Sequence, residues 1–210
     1  MRVLIFSGGN LDAWALSYIN EGDYIIGVDR GAYFLYKNNI KMDAAIGDFD
    51  SVSEHEKRLI SLSTDHIEDY DPINKDKTDT EIALDFALNK NPTEIVLLGV
   101  LGTRFDHSLA NVHLLVKSLA ADINCKIVDN KNEILVVNNK VVIHKEHFTH
   151  VSLLPLTSEV KGITLKGFKY PLENAAISIG ETLGISNILL EETGTISIDT
   201  GILLVIKSID

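Results

Sequence analysis

One cysteine, Cys125, stands in a chain of 210 residues. An intramolecular disulfide is therefore impossible, and zinc or iron–sulfur sites built from several thiolates are excluded. A reducing, cytoplasmic setting is the expectation. Long apolar runs are missing too. The N-terminal run spans only Val3 to Phe6, too short for a signal core or a bilayer-spanning helix, so no membrane partner is expected. Basic residues are scarce: 19 Lys plus Arg face 30 Asp plus Glu, for a net charge of −11. Such a balance argues against nonspecific binding to nucleic acid or an anionic membrane surface. Three sequence patterns are absent as well: GxxxxGK[ST], GxGxxG and GxSxG. P-loop, dinucleotide-fingerprint and serine-hydrolase readings go with them.

What remains is a foldable chain, 45% hydrophobic, with two kinds of patterning. Up to about residue 130, short β-branched runs alternate with helical spacing. The runs are Val3–Phe6, Tyr24–Val28, Ala44–Ile46, Glu94–Gly99 and Lys126–Val128. Helical spacing covers Leu11–Asn20, Asp79–Asn89 and Leu109–Ala121. This alternation predicts a three-layer α/β domain over residues 1–130, with a mostly parallel sheet covered on both faces. From 131 to 210 the runs follow one another without helices: Ile134–Val137, Val141–Ile143, Val151–Leu154, Ile163–Leu165, Thr195–Ile198 and Ile202–Ile206. That pattern predicts an all-β sandwich domain.

Ligands of an open parallel sheet gather at the carboxyl ends of its strands. Ser7-Gly8-Gly9-Asn10, Asp29-Arg30-Gly31-Ala32, Gly47-Asp48-Phe49-Asp50-Ser51 and Gly99 through His107 follow expected strands, and Asp76-Lys77-Thr78-Asp79 opens a helix. Asp48, Asp50 and Asp79 in one crevice would repel one another. A divalent cation removes the conflict, and short carboxylates on firm turns suit Mg2+. Arg104 and Lys75 or Lys77 are candidates for holding phosphate oxygens, and Gly8, Gly9 and Asn10 for donating backbone N–H groups. Each stretch also has a structural reading. Thr78 and Glu81 fit a capping box, Asp48 and Asp50 fit an Asx turn, and Asp106 fits a helix N-cap. His144, His147 and His150 recur every third residue, which a strand would place on opposite faces; a polar loop is expected there.

In series, these stretches resemble the bacterial thiamine pyrophosphokinase family. The similarity rests on DRGA at 29–32, GDFDS at 47–51, DKTD at 76–79 and GVLGTRFDH at 99–107 followed by SLAN. It continues with GFKYPL at 167–172 and GISN at 184–187. The segments keep family order and span nearly the whole chain. The resemblance implies transfer of a pyrophosphoryl group from the co-substrate ATP to thiamine, releasing AMP, in a homodimer with active sites at the subunit interface. It implies Asp48, Asp50 and Asp79 as Mg2+ ligands, with Asp76 close by as a fourth catalytic residue. Gly8, Gly9, Asn10, Asp29, Lys75 and Arg104 are the nucleotide-binding expectation. Asp106, Tyr170, Ser186 and Asn187 are expected near thiamine. Two other readings remain: a Mg2+-dependent nucleotide pyrophosphatase or transferase with another acceptor, and a noncatalytic thiamine- or nucleotide-binding protein.

Overall fold

Apolar runs with no polar alternation have to be covered on both faces, and here they form a parallel sheet. The computed structural model describes residues 1–64, 66–69 and 76–210. Lys75, one of the expected nucleotide ligands, lies outside the described residues. The chain divides into two compact units, Met1–Asn130 and Lys131–Asp210.

The first unit contains β1 (Arg2–Phe6), α1 (Ala13–Leu16), β2 (Tyr24–Val28), α2 (Arg30–Lys37), β3 (Ala44–Gly47) and α3 (Glu54–Ser61). It continues with β4 (Ile67–Asp69), α4 (Asp79–Leu88), β5 (Glu94–Leu98), α5 (Phe105–Ala120) and β6 (Asn124–Val128). Its strands run in the order β4-β3-β2-β1-β5-β6, every neighbouring pair parallel. Leu4, Phe6, Val96 and Leu98 pack with Ala32 and Leu35 of α2 and Ile60 of α3. Their sequence neighbours Val3, Ile5, Ile95 and Leu97 are fully buried too, and α4 packs on β1, β2 and β3. Both faces are thus covered, as the strand–helix alternation requires. Among the described residues, no helix is long and apolar enough to cross a membrane.

The spacing over Leu11–Asn20 overstates its helix, which is only Ala13–Leu16. Leu11, Trp14, Tyr18 and Ile19 do pack against the core. The turns end early because the Arg2 guanidinium donates to the Tyr18 carbonyl at 2.6 Å while chelating Asp23. At the other extreme, α5 begins at Phe105, four residues before its apolar stripe.

The second unit contains β7 (Asn132–Val137), β8 (Lys140–His144), β9 (His150–Pro155), β10 (Glu159–Lys166), β11 (Ala175–Ser178), β12 (Thr193–Ser197) and β13 (Leu203–Ser208). One group of strands pairs in the order β7-β13-β9 and the other in the order β11-β10-β12-β8, all antiparallel. Side chains from both groups form one core that includes Leu153, Val205, Ile163 and Ile196. This is the expected sandwich. His144 ends β8, His150 opens β9 and His147 lies between them.

Candidate active site

The order of strands reverses between β1 and β5, where consecutive connections leave in opposite directions and their loops part. A cleft of about 820 Å³ lies there, lined by segments that follow β1, β2, β3 and β5 and by the first turns of α4 and α5.

Its acidic wall starts at the end of β2. Asp29 has φ 48 and ψ −117, a conformation that costs a non-glycine residue about 1–3 kcal/mol. Its Oδ1 accepts a hydrogen bond from the Phe49 N–H at 3.1 Å. Phe49 is itself left-handed, φ 57, with a buried ring. Gly47 lies directly beneath the carboxylate: a Cβ there would sit 2.1 Å from Asp29 Oδ1, and its φ is +148. Asp48 Oδ1 accepts from the Asp50 N–H at 3.0 Å. The Asx turn is therefore real, and it aims the motif rather than replacing its chemistry.

The third carboxylate comes from α4. Thr78 Oγ1 accepts from the Glu81 N–H at 3.2 Å, which fixes the helix start. The reciprocal arm expected of a capping box is not what Glu81 supplies: its carboxylate pairs with Lys117 of α5 at 3.0 Å. Asp79, the next residue after the cap, faces Asp29 and Asp48. Each of the three offers a carboxylate oxygen within 4.8 Å of the others, and all are half-buried. Asp50, Asp76 and Lys77 line the same cleft; Asp50 is exposed and stands outside the trio. Three hard oxygens converging at partial burial fit a Mg2+ ion.

The glycine loop after β1 does something other than expected. The Gly9 N–H donates to the Gly99 carbonyl at 2.7 Å and the Asn10 N–H to the Leu101 carbonyl at 3.3 Å. Both donors are committed to the neighbouring loop, which corrects the expectation that they point at phosphate. Glycine is needed because a Cβ at Gly9 would meet the Gly99 oxygen at 2.5 Å. Gly8 and Gly9 still line the cleft. Ser7 Oγ and Thr80 Oγ1 share a hydrogen bond of 3.0 Å, tying β1 to α4.

Two residues that the motifs alone gave no role hold the opposite wall. Buried Asn111 donates its amide to the Val100 carbonyl at 2.7 Å. Ser108 accepts from the Gly102 N–H at 3.1 Å and donates to the Arg104 carbonyl at 3.1 Å. Their spacing along α5, three apart and just past the GVLGTR loop, was the available signal. The Arg104 side chain lines the cleft and grips Asp106 with two bonds, Nε to Oδ1 at 3.2 Å and Nη2 to Oδ2 at 2.6 Å. That pairing holds the Asp106 carboxyl at about 2, against an ordinary 3.8. The folded value is depressed, so the pair's stabilisation is present above the ordinary value and is lost as pH falls through about 2. An NMR titration of the Asp106 carboxyl is expected to show this low midpoint, and Arg104→Ala to raise it toward the ordinary one. An unchanged midpoint in the variant would remove Arg104 as the cause.

The remaining expected residues belong to the second unit. Tyr170 and Ser186 are exposed. Asn187 is buried, and its amide accepts from the Tyr170 and Ile188 N–H groups at 3.0 and 2.9 Å and donates to the Tyr170 carbonyl at 2.7 Å. It thus fixes the loop that carries Tyr170. Ser186 is left-handed, φ 58, and its N–H donates to Ser152 Oγ at 3.0 Å.

A cleft with carboxylates on one wall and an arginine on the other, at the switch point of a parallel sheet, suits an enzyme that handles a nucleoside polyphosphate with a hard cation. Comparison with known proteins gives the family. Residues 15–127 match thiamin pyrophosphokinase, catalytic domain, and residues 138–203 match thiamin pyrophosphokinase, vitamin B1 binding domain. The chain belongs to the thiamin pyrophosphokinase family. It is 39% identical over 210 residues to thiamine pyrophosphokinase of Bacillus subtilis, covering 98% of both chains. The crystal structure of thiamine pyrophosphokinase from Bacillus subtilis superposes with a TM-score of 0.92 at 37% identity over all of both chains. That of Geobacillus thermodenitrificans thiamin pyrophosphokinase gives 0.87 at 37% identity, over 100% of this chain and 98% of the other.

Proposed function

We propose that the chain is an ATP-dependent thiamine diphosphokinase, which moves the pyrophosphoryl group of ATP to the primary hydroxyl of thiamine and releases AMP. The observation that carries this reading is that both units match their own domain of one family, in family order. The geometry of the cleft supports it. Asp29, Asp48 and Asp79 would hold Mg2+, which would supply positive charge to offset that of the phosphates. Asp50 and Asp76 stand beside that trio, with Gly8 and Gly9 along the floor. Arg104 would hold phosphate oxygens from the other wall. In-line attack on the β-phosphorus then depends on positioning, which Ser108 and Asn111 provide by fixing the Arg104 loop. Asp76 and Asp106 are the two candidates for accepting the hydroxyl proton.

Tyr170 and Ser186 would meet thiamine, with Asn187 holding Tyr170's main chain. We place this surface against a second copy of the chain. Exposed Phe105 and Leu109 on α5 and exposed Leu183 and Leu190 in the second unit support a homodimer. One buried thiol, Cys125, suits a reducing cytoplasm. The test is AMP formation from ATP and Mg2+ with and without thiamine. Thiamine-dependent AMP is expected; AMP release indifferent to thiamine would sink the acceptor assignment. Light scattering tests the dimer.

A further inference from the structure

Arg104 pairs with one anion of this chain, Asp106, and also lines the cleft where the proposed nucleotide would bring another. Its main chain is fixed: the carbonyl accepts from the Ser108 N–H at 3.1 Å and from Ser108 Oγ at the same distance. Its guanidinium is not fixed by burial. The side chain is 69% exposed and that of Asp106 65%. Asp106 has a second source of stabilisation that does not move, since it sits in the first turn of α5 and the His107 N–H bonds its carboxylate. The mobile partner is therefore the arginine.

We propose that Asp106 is an internal competitor for Arg104, and that a nucleoside triphosphate entering the cleft takes the guanidinium from it and leaves a carboxylate for the cationic acceptor. This inference rests on the reading of the cleft as a nucleotide site. Exposed ion pairs contribute little, so the exchange is cheap in the forward direction. A polyphosphate offers the same two-pronged acceptor geometry with more charge. Once Arg104 has moved, Asp106 is an unpaired anion beside a bound anion. That arrangement is unfavourable until a cation arrives, and thiamine carries one in its thiazolium ring. The two substrates are thereby coupled, and the coupling has to be equal in both directions. The geometry gives Asp106 a role in the order of assembly, distinct from proton transfer.

Isothermal titration with a nonhydrolysable ATP analogue and Mg2+, on wild type and Asp106→Asn, tests the exchange. The variant is expected to bind the analogue about two- to fivefold tighter, because the competitor is gone. In wild type, thiamine should bind tighter when the analogue is present; in Asp106→Asn that enhancement should vanish. On wild type alone, the midpoint of the Asp106 carboxyl resonance should rise when the analogue saturates the cleft. Equal or weaker analogue binding by Asp106→Asn, or an enhancement that survives in it, would overturn the exchange while leaving the nucleotide site intact. Failure of both proteins to bind the analogue would overturn the nucleotide site and the exchange together.

Discussion

Asp79→Asn lowers kcat/KM for thiamine-dependent AMP formation on the order of 10²–10³-fold, while the protein stays folded. The effect is large because one of three convergent oxygens loses its charge and two half-buried carboxylates remain. The asparagine fills the same space, and Thr78 still caps the helix through the Glu81 N–H. The helix loses only the favourable placement of a negative charge in its first turn, about 0.3–1 kcal/mol. Steady-state kinetics at saturating and limiting Mg2+, with a thermal melt of each protein, separate the two effects. Activity within tenfold of wild type at limiting Mg2+ would show that Asp79 does not hold the cation.

The second large effect is expected at a residue with no functional group. Gly47→Ala puts a methyl where Asp29 Oδ1 now lies, at a backbone angle that side chains rarely adopt. Either Asp29 moves or the strand end does. Moving Asp29 also breaks its bond to the Phe49 N–H. The cost is about 2–4 kcal/mol, a fall of roughly 5–15 °C in the midpoint of thermal unfolding. Activity is expected to fall further than stability explains, because at 25 °C the variant is folded with the carboxylate trio displaced. A Gly47→Ala protein with wild-type melting and wild-type turnover would refute this account of the motif. Asp50→Ala offers a useful contrast: the exposed neighbour keeps Gly47 and Asp29 in place, so melting should hardly change.

Much of this could be read from residue order alone, and the reasons differ from element to element. The strands at 3–6, 24–28 and 95–98 are apolar runs, and burial on both faces leaves little else for them to be. β4 and β11 carry no such pattern. Ile67–Asp69 is three residues with two acids, and Ala175–Ser178 has one large apolar side chain. Their pairing comes from neighbouring strands, not from their own pattern. The start of α2 is hidden in the sequence because it is marked by Asp29 with no side-chain cap bond, and the positive φ of Asp29 has no signature there. Asp48 and Asp79 could be placed together in one crevice because each follows a recognisable boundary. That Asp29 completes their trio while Asp50 stands outside could not be read, since it depends on how Gly47 folds beneath a carboxylate eighteen residues upstream. Gly9 departs from its expected role for a similar reason. Glycine lets backbone come close to something, and only the fold says that the something is another loop.

The Asn187 clamp has a consequence for flexibility. Tyr170 presents an exposed ring on a main chain already held at both its N–H and its carbonyl. Ordering a residue's backbone ordinarily forfeits about 1–2 kcal/mol of conformational entropy when a ligand is engaged. Here that loss was incurred when the sandwich folded, so a planar ring that settled on Tyr170 would have only side-chain rotation left to arrest.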